Sequence, residues 1–158
     1  MGDHTETVQV DYDPAQISYD QLLDLFWTTH NPARKARSTQ YRNAVFFHDQ
    51  TQEQLALASK ARLEKKRGLR VETRILPLVT FTPAEPYHQK NLLKTRDIVK
   101  EMTRIYPLKE AFNNSTAVAR LNGYAGGYGT RKQLLAEIDR LGLSDTGKKK
   151  LLKMVRAR

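Results

Sequence analysis

Every stretch of this chain with a strand pattern lies before residue 82, and beyond Gln89 only helical patterning remains. Val8-Gln9-Val10-Asp11-Tyr12 alternates apolar and polar residues, the period of a half-buried strand, and Asp13-Pro14 ends it. Ala44-Val45-Phe46-Phe47 is a short apolar run that predicts a buried strand. Val71-Glu72-Thr73-Arg74-Ile75 alternates again, and Val79-Thr80-Phe81 offers a fourth strand. Helical segments separate them. Ser18 is a good N-cap for a helix carrying Tyr19, Leu22, Leu23, Leu25, Phe26 and Trp27, which Asn31-Pro32 closes. Thr51 with Gln54 reads as a capping box opening a second helix that Gly68 stops. Strand–helix–strand passages of this kind predict a sheet with helices packed on it, an α/β or α+β sandwich.

The second half reads as helices alone. Residues 92–105 place Leu92, Leu93, Ile98, Val99, Met102 and Ile105 on one side, and Leu108 to Phe112 adds a turn or two. Ser115 caps a helix ending at Asn122-Gly123. Thr130 with Gln133 caps another that Gly142 terminates, and Ser144 starts the last. The net charge divides at the same place. Residues 1–89 carry 11 basic and 11 acidic side chains, while residues 90–158 carry 16 and 6, the whole of the +10. Two segments with different electrostatics imply two different jobs.

The 158 residues suffice for one domain with an ordinary core and an appendage. No apolar run approaches the roughly 20 residues needed to cross a bilayer. The start, Met1-Gly2-Asp3-His4, has neither the basic nor the apolar stretch of a secretory signal, nor a myristoylation pattern. There is no cysteine, hence no disulfide framework and no thiolate metal site. A reducing compartment is expected, the cytoplasm by default and mitochondria as the alternative. The histidines at 4, 30, 48 and 88 form no i, i+4 pair and no cluster with carboxylates, so no metal site is expected.

Three short motifs, His4-Thr5-Glu6, Thr39-Gln40-Tyr41-Arg42 and Pro83-Ala84-Glu85-Pro86-Tyr87-His88-Gln89, occur in the order found in peptide methionine sulfoxide reductases of the A type. Tyr12-Asp13-Pro14, Ile17-Ser18-Tyr19, Leu22-Leu23-Asp24-Leu25-Phe26-Trp27 and His30-Asn31-Pro32 strengthen the resemblance. It implies an α+β two-layer sandwich of a mixed sheet with helices over residues 1–96, followed by a basic helical extension over 97–158. It also implies reduction of peptidyl methionine S-sulfoxide. In that family a cysteine on a Gly-Cys-Phe-Trp turn attacks sulfur, a carboxyl group protonates the departing oxygen, and tyrosine hydroxyls hold it. A second cysteine then forms a disulfide that thioredoxin reduces. A sulfoxide oxygen leaves only when protonated, so an acid is required, and so is a nucleophilic sulfur. By motif, Glu6 takes the place of the acid and Tyr41 that of the oxygen-binding phenol. No cofactor beyond thioredoxin as reductant is implied.

The departures are equally specific. The family's Gly-Asn-Asp element, about five residues before the tyrosine, is replaced around Ala36, where Arg34, Lys35 and Arg37 crowd the loop. The nucleophilic segment, which also forms a central strand of the family sheet, has no counterpart here, so a sheet edge or gap is expected. Three readings stay open. One is a reductase homologue that cannot turn over without a thiol. A second is a non-enzymatic scaffold docking RNA or an acidic partner through Lys148, Lys149, Lys150, Lys153 and Arg156, with Arg158 beside them. The third is a partial chain or one whose cysteines were replaced. Basic residues without interleaved aromatics fit phosphate contact and not base stacking.

Gly123-Tyr124-Ala125-Gly126-Gly127-Tyr128 has three readings of its own: a helix–helix connection, the relic of a redox tail with Arg131 in a thiol's place, or a phosphate loop, though no Gly-Lys-Ser/Thr follows it. His88 is expected as a framework residue, and Trp27 as core.

Overall fold

The structure, a computed structural model, describes residues 4–94 and 96–155. The chain divides into two compact units, residues 1–81 and 82–158.

In the first unit, α1 (Tyr19–Thr28) begins at Ser18, whose hydroxyl accepts from the Gln21 amide while the Gln21 side chain returns a bond to the Ser18 amide. Ser18 is the N-cap the sequence suggested, and Gln21 makes it a reciprocal capping box that was not expected. Strand β1 (Ala44–Phe47) follows, then α2 (Gln50–Arg67) and β2 (Arg74–Pro77). The strands are parallel, with Ala44 opposite Arg74 and Val45 opposite Ile75, and α2 is the crossover that parallel pairing demands. The true cap of α2 is Asp49, whose carboxylate accepts from the Gln52 amide, so the helix starts before the box expected at Thr51. Gly68 ends it in the left-handed conformation, φ 60°, donating to Glu64.

The strand expected at Val8–Tyr12 does not form. Those residues run without ladder bonds, with Val8 and Val10 largely exposed. Alternation makes a strand only where a neighbour accepts the backbone bonds, and β1–β2 is the sheet among the described residues. Val79–Phe81 is likewise irregular, and the third predicted strand begins three residues later than its pattern, at Arg74.

The unit's core is small. Trp27, Leu63 and Val71 are buried together, with Phe26 and Leu69 against them. All four residues of β1 stay half-buried. Two polar anchors were not legible in the sequence. Trp27 Nε1 donates to the buried Ser59 hydroxyl at 2.8 Å, and His30 Nε2 lies 2.9 Å from the buried Thr73 hydroxyl.

The second unit is helical: α3 (Asn91–Lys94), α4 (Val99–Ile105), α5 (Lys109–Asn114), α6 (Thr116–Ala125), α7 (Arg131–Glu137) with a 3₁₀ turn Ile138–Arg140, and α8 (Asp145–Met154). The single helix expected over 92–105 is interrupted between Lys94 and Val99. Caps at Ser115, Thr130 and Ser144 are as patterned, but α6 runs through Gly123 to Ala125. The loop beyond it connects α6 to α7, with Gly127 and Gly129 both at φ 83°. That is the helix–helix connection reading of the glycine run.

Leu93, Met102, Val118, Leu121, Leu134 and Leu151 are fully buried in one cluster. Each such side chain contributes about 1.5–3 kcal/mol by leaving water. Polar contacts fix the register. The Leu93 amide donates to Asn122 Oδ1 at 3.0 Å, and the Ser144 amide donates to Glu101 at 2.9 Å. The Tyr124 hydroxyl donates to Glu137 at 2.7 Å, and Arg120 completes that network by an ion pair with Glu137. No helix among the described residues is long and apolar enough to cross a membrane.

Candidate functional site

Within the first unit, the segment His4-Thr5-Glu6 lies against Thr39-Gln40-Tyr41-Arg42, held by hydrogen bonds at Thr5 and Glu6. The Glu6 amide donates to the Gln40 carbonyl at 3.0 Å, and the Gln40 side-chain amide donates back to Glu6 Oε1 at 3.0 Å. One residue earlier, the Thr5 hydroxyl donates to the Thr39 carbonyl at 3.0 Å and accepts from Arg42 Nε at 2.8 Å. Residues more than thirty positions apart in sequence are thereby joined. Glu6 is placed beside the residue that precedes Tyr41.

Local chemistry explains why the second motif presents itself this way. Asn31 turns the chain, its side chain accepting from the Ala33 amide and its carbonyl from the Arg34 amide. Ser38 Oγ then accepts from the Tyr41 amide at 3.3 Å. Arg42 is steadied from a second side, its guanidinium 5.8 Å from the Phe46 ring centroid on β1. Tyr41 is left 67% exposed and Glu6 is exposed too, so both functional groups reach solvent. The site is a surface clasp and not a closed pocket.

The third motif belongs to the second unit. Tyr87 and His88 lie 4.2 Å apart between ring centroids with their rings tilted at 43°, His88 lies 3.9 Å from Glu85, and Gln89 donates to the Ala84 carbonyl. Lys94 donates to the Pro86 carbonyl. His88 thus sits in a folded turn with its ring exposed.

His30, at the edge of the unit's core, is a titratable group that burial perturbs. Desolvation holds its pKa below the ordinary 6.5, opposed by its bond to the Phe26 carbonyl. That carbonyl can only accept, so Nδ1 carries the proton and Nε2 accepts from Thr73.

At the C-terminus, Lys148 pairs with Asp139 at 2.8 Å and Lys150 with Asp97 at 3.4 Å. Lys149 and Lys153 are exposed, while Arg156 and Arg158 lie outside the described residues. With two lysines already neutralised, the polyanion reading gains no support from geometry. No group of histidine and carboxylate side chains that could hold a metal ion occurs among the described residues.

Residues 1–128 match the family described as peptide methionine sulfoxide reductase, and residues 109–156 match the helical domain of selenoprotein methionine sulfoxide reductase A. The chain is 37% identical over 152 residues to a peptide methionine sulfoxide reductase of Drosophila melanogaster, covering 92% of this chain and 59% of the relative. It is 37% identical over 131 residues to peptide methionine sulfoxide reductase A5 of Oryza sativa, covering 79% and 51%. It is 43% identical over 96 residues to the A2 protein of Arabidopsis thaliana, covering 58% and 44%. The chain therefore spans about half the length of the curated relatives it matches. It belongs to the peptide methionine sulfoxide reductase family, A type.

Proposed function

We propose that these 158 residues form the oxygen-handling part of a peptide-methionine (S)-S-oxide reductase. Glu6 is the proton donor to the sulfoxide oxygen, and Tyr41 its hydrogen-bond donor. The observation that carries this reading is the pair of hydrogen bonds between Glu6 and Gln40, which puts the carboxyl beside the phenol's own loop. A carboxyl donates a proton near neutral pH when it is desolvated, so Glu6 acts once substrate or another polypeptide segment covers it.

The chain alone does not turn over, because it has no thiol to attack sulfur and none to resolve the product. The nucleophile comes from a polypeptide segment not among these residues. The name of the second matching family makes a selenol the chemical alternative to a thiol there. Two features support such a segment: β1 is half-buried along its whole length, and the two-stranded sheet leaves backbone free at its edges. A strand added there extends the pair toward the two-layer sandwich. Thioredoxin is the proposed reductant of the completed enzyme, and oxidised methionine in peptides its substrate.

The test is a coupled assay with thioredoxin, its reductase, NADPH and a methionine S-sulfoxide peptide. The chain alone is expected to give the no-enzyme rate. Mixed with a Cys-bearing peptide of the relatives' unmatched region, it is expected to exceed that rate. Turnover by the chain alone would refute the assignment of the missing nucleophile.

A further inference from the structure

The loop that carries Tyr41 also walls a cleft of about 370 Å3, whose charged lining is Arg34, Lys35, Arg37, Arg42, Arg74 and Glu72. Glu72 is the one carboxylate of that lining, and it lies 3.6 Å from Arg70 Nε. None of the five lining cations has a carboxylate partner among the described residues. Positive charge is therefore concentrated on one concave surface within a segment, residues 1–89, whose basic and acidic residues balance as a whole, which raises the local potential for an anion.

Two of the cations sit on fixed supports. Arg42 is held by the Thr5 hydroxyl and the Phe46 ring, and Arg74 opens β2. Arg34, Lys35 and Arg37 are exposed on the loop, free to follow a ligand. The lining residues contain no aromatic ring, so the cleft lacks the stacking platform that single-stranded nucleic acid uses. It does share Thr39 and Arg42 with the Glu6–Tyr41 clasp.

We propose that this cleft selects substrates whose oxidised methionine is flanked by aspartate or glutamate, the flanking carboxylates being taken by Arg34, Arg37, Arg42 and Arg74. The inference rests on the reading of Glu6 and Tyr41 as the sulfoxide site, and the experiment separates the two. Fluorescein-labelled nonapeptides with a central methionine or methionine S-sulfoxide, flanked by acidic, neutral or basic residues, are titrated against the 158-residue chain and followed by anisotropy.

Acidic flanks are expected to tighten binding on the order of tenfold over neutral ones, and the gain is expected to shrink as salt is raised from about 50 to about 500 mM. The double substitution Arg34→Glu, Arg37→Glu on the exposed loop is expected to abolish the preference. Lys149→Glu with Lys153→Glu, which alters total charge equally on α8, is expected to leave it intact. Equal binding of acidic and neutral peptides, or a preference that survives the loop substitutions, would overturn the proposal. So would a short single-stranded RNA that binds more tightly than the acidic peptide and loses affinity with the loop variant. An acidic preference without sulfoxide discrimination would uphold the cleft and refute the sulfoxide site; sulfoxide discrimination without acidic preference would do the reverse.

Discussion

Glu6 and Gln40 hold each other twice, backbone to backbone and side chain to side chain, both at 3.0 Å. The pair fixes the carboxyl relative to the loop of Tyr41 even though both functional groups remain open to solvent. Replacing the Gln40 side chain removes one bond to a charged acceptor and leaves the backbone bond. Gln40→Ala is expected to weaken binding of a methionine S-sulfoxide peptide about three- to tenfold, in line with about 1 kcal/mol for one such bond, while changing the melting temperature little. Isothermal titration alongside thermal melting checks both halves of that expectation.

The pH dependence follows from His30. Its folded-state pKa lies below its ordinary 6.5, so the unfolded chain binds the proton more tightly. The contribution to stability is complete above about 6.5 and is lost as pH falls through the lower folded value. Burial and the Thr73 hydroxyl suit the neutral ring, while the bond to the Phe26 carbonyl opposes them. Urea midpoints are expected to drop between pH 7.5 and pH 5, and His30→Gln is expected to flatten that slope. An unchanged slope in the variant counts against His30 as the source.

In the second unit, Tyr124 donates to Glu137, and burial followed by that carboxylate pushes its pKa up to about 12. Tyr124→Phe keeps the ring in the core and removes only the bond. The expected loss is about 1.5 kcal/mol, with Glu137 still paired to Arg120, and denaturant unfolding measures it.

Two glycines in left-handed backbone separate strain from crowding. At Gly68, φ 60°, a Cβ meets nothing within 4 Å, so Gly68→Ala is expected to cost about 1 kcal/mol for conformation alone. At Gly129, φ 83°, a Cβ would lie 2.8 Å from Tyr124 Cε1. Gly129→Ala is expected to cost about 2 kcal/mol or more, because the ring it displaces is also tied to Glu137. Equal losses at the two positions would contradict this assignment.

Much of the helical framework is legible in the sequence because caps act locally. Ser18 with Gln21, Thr130 with Gln133, and Gly68 each satisfy backbone groups within four residues. Strands depend on distant partners. Val8–Tyr12 has the alternation of a strand and no strand beside it among the described residues, while Arg74–Pro77 forms because β1 lies beside it. Asp49 outcompeted Thr51 as the α2 cap, a shift that periodicity cannot resolve when two capping residues stand close together. At the site, the motifs named Glu6 and Tyr41, but the residue that joins them is Gln40, whose role appears only once the chain folds. The basic loop was visible as a run. That Arg42 and Arg74 line one cleft with it depends on the β1–β2 pairing and was not.

Titration of the chain with the two epimers of a methionine sulfoxide peptide, in the presence and absence of Tyr41→Phe, tests the central claim most directly. The predicted result is tighter binding of the S epimer than of the R epimer or the unoxidised peptide, with the preference lost in the variant and no reduction of either epimer by the chain alone. Identical affinity for all three peptides, unaffected by the loss of the Tyr41 hydroxyl, would contradict it.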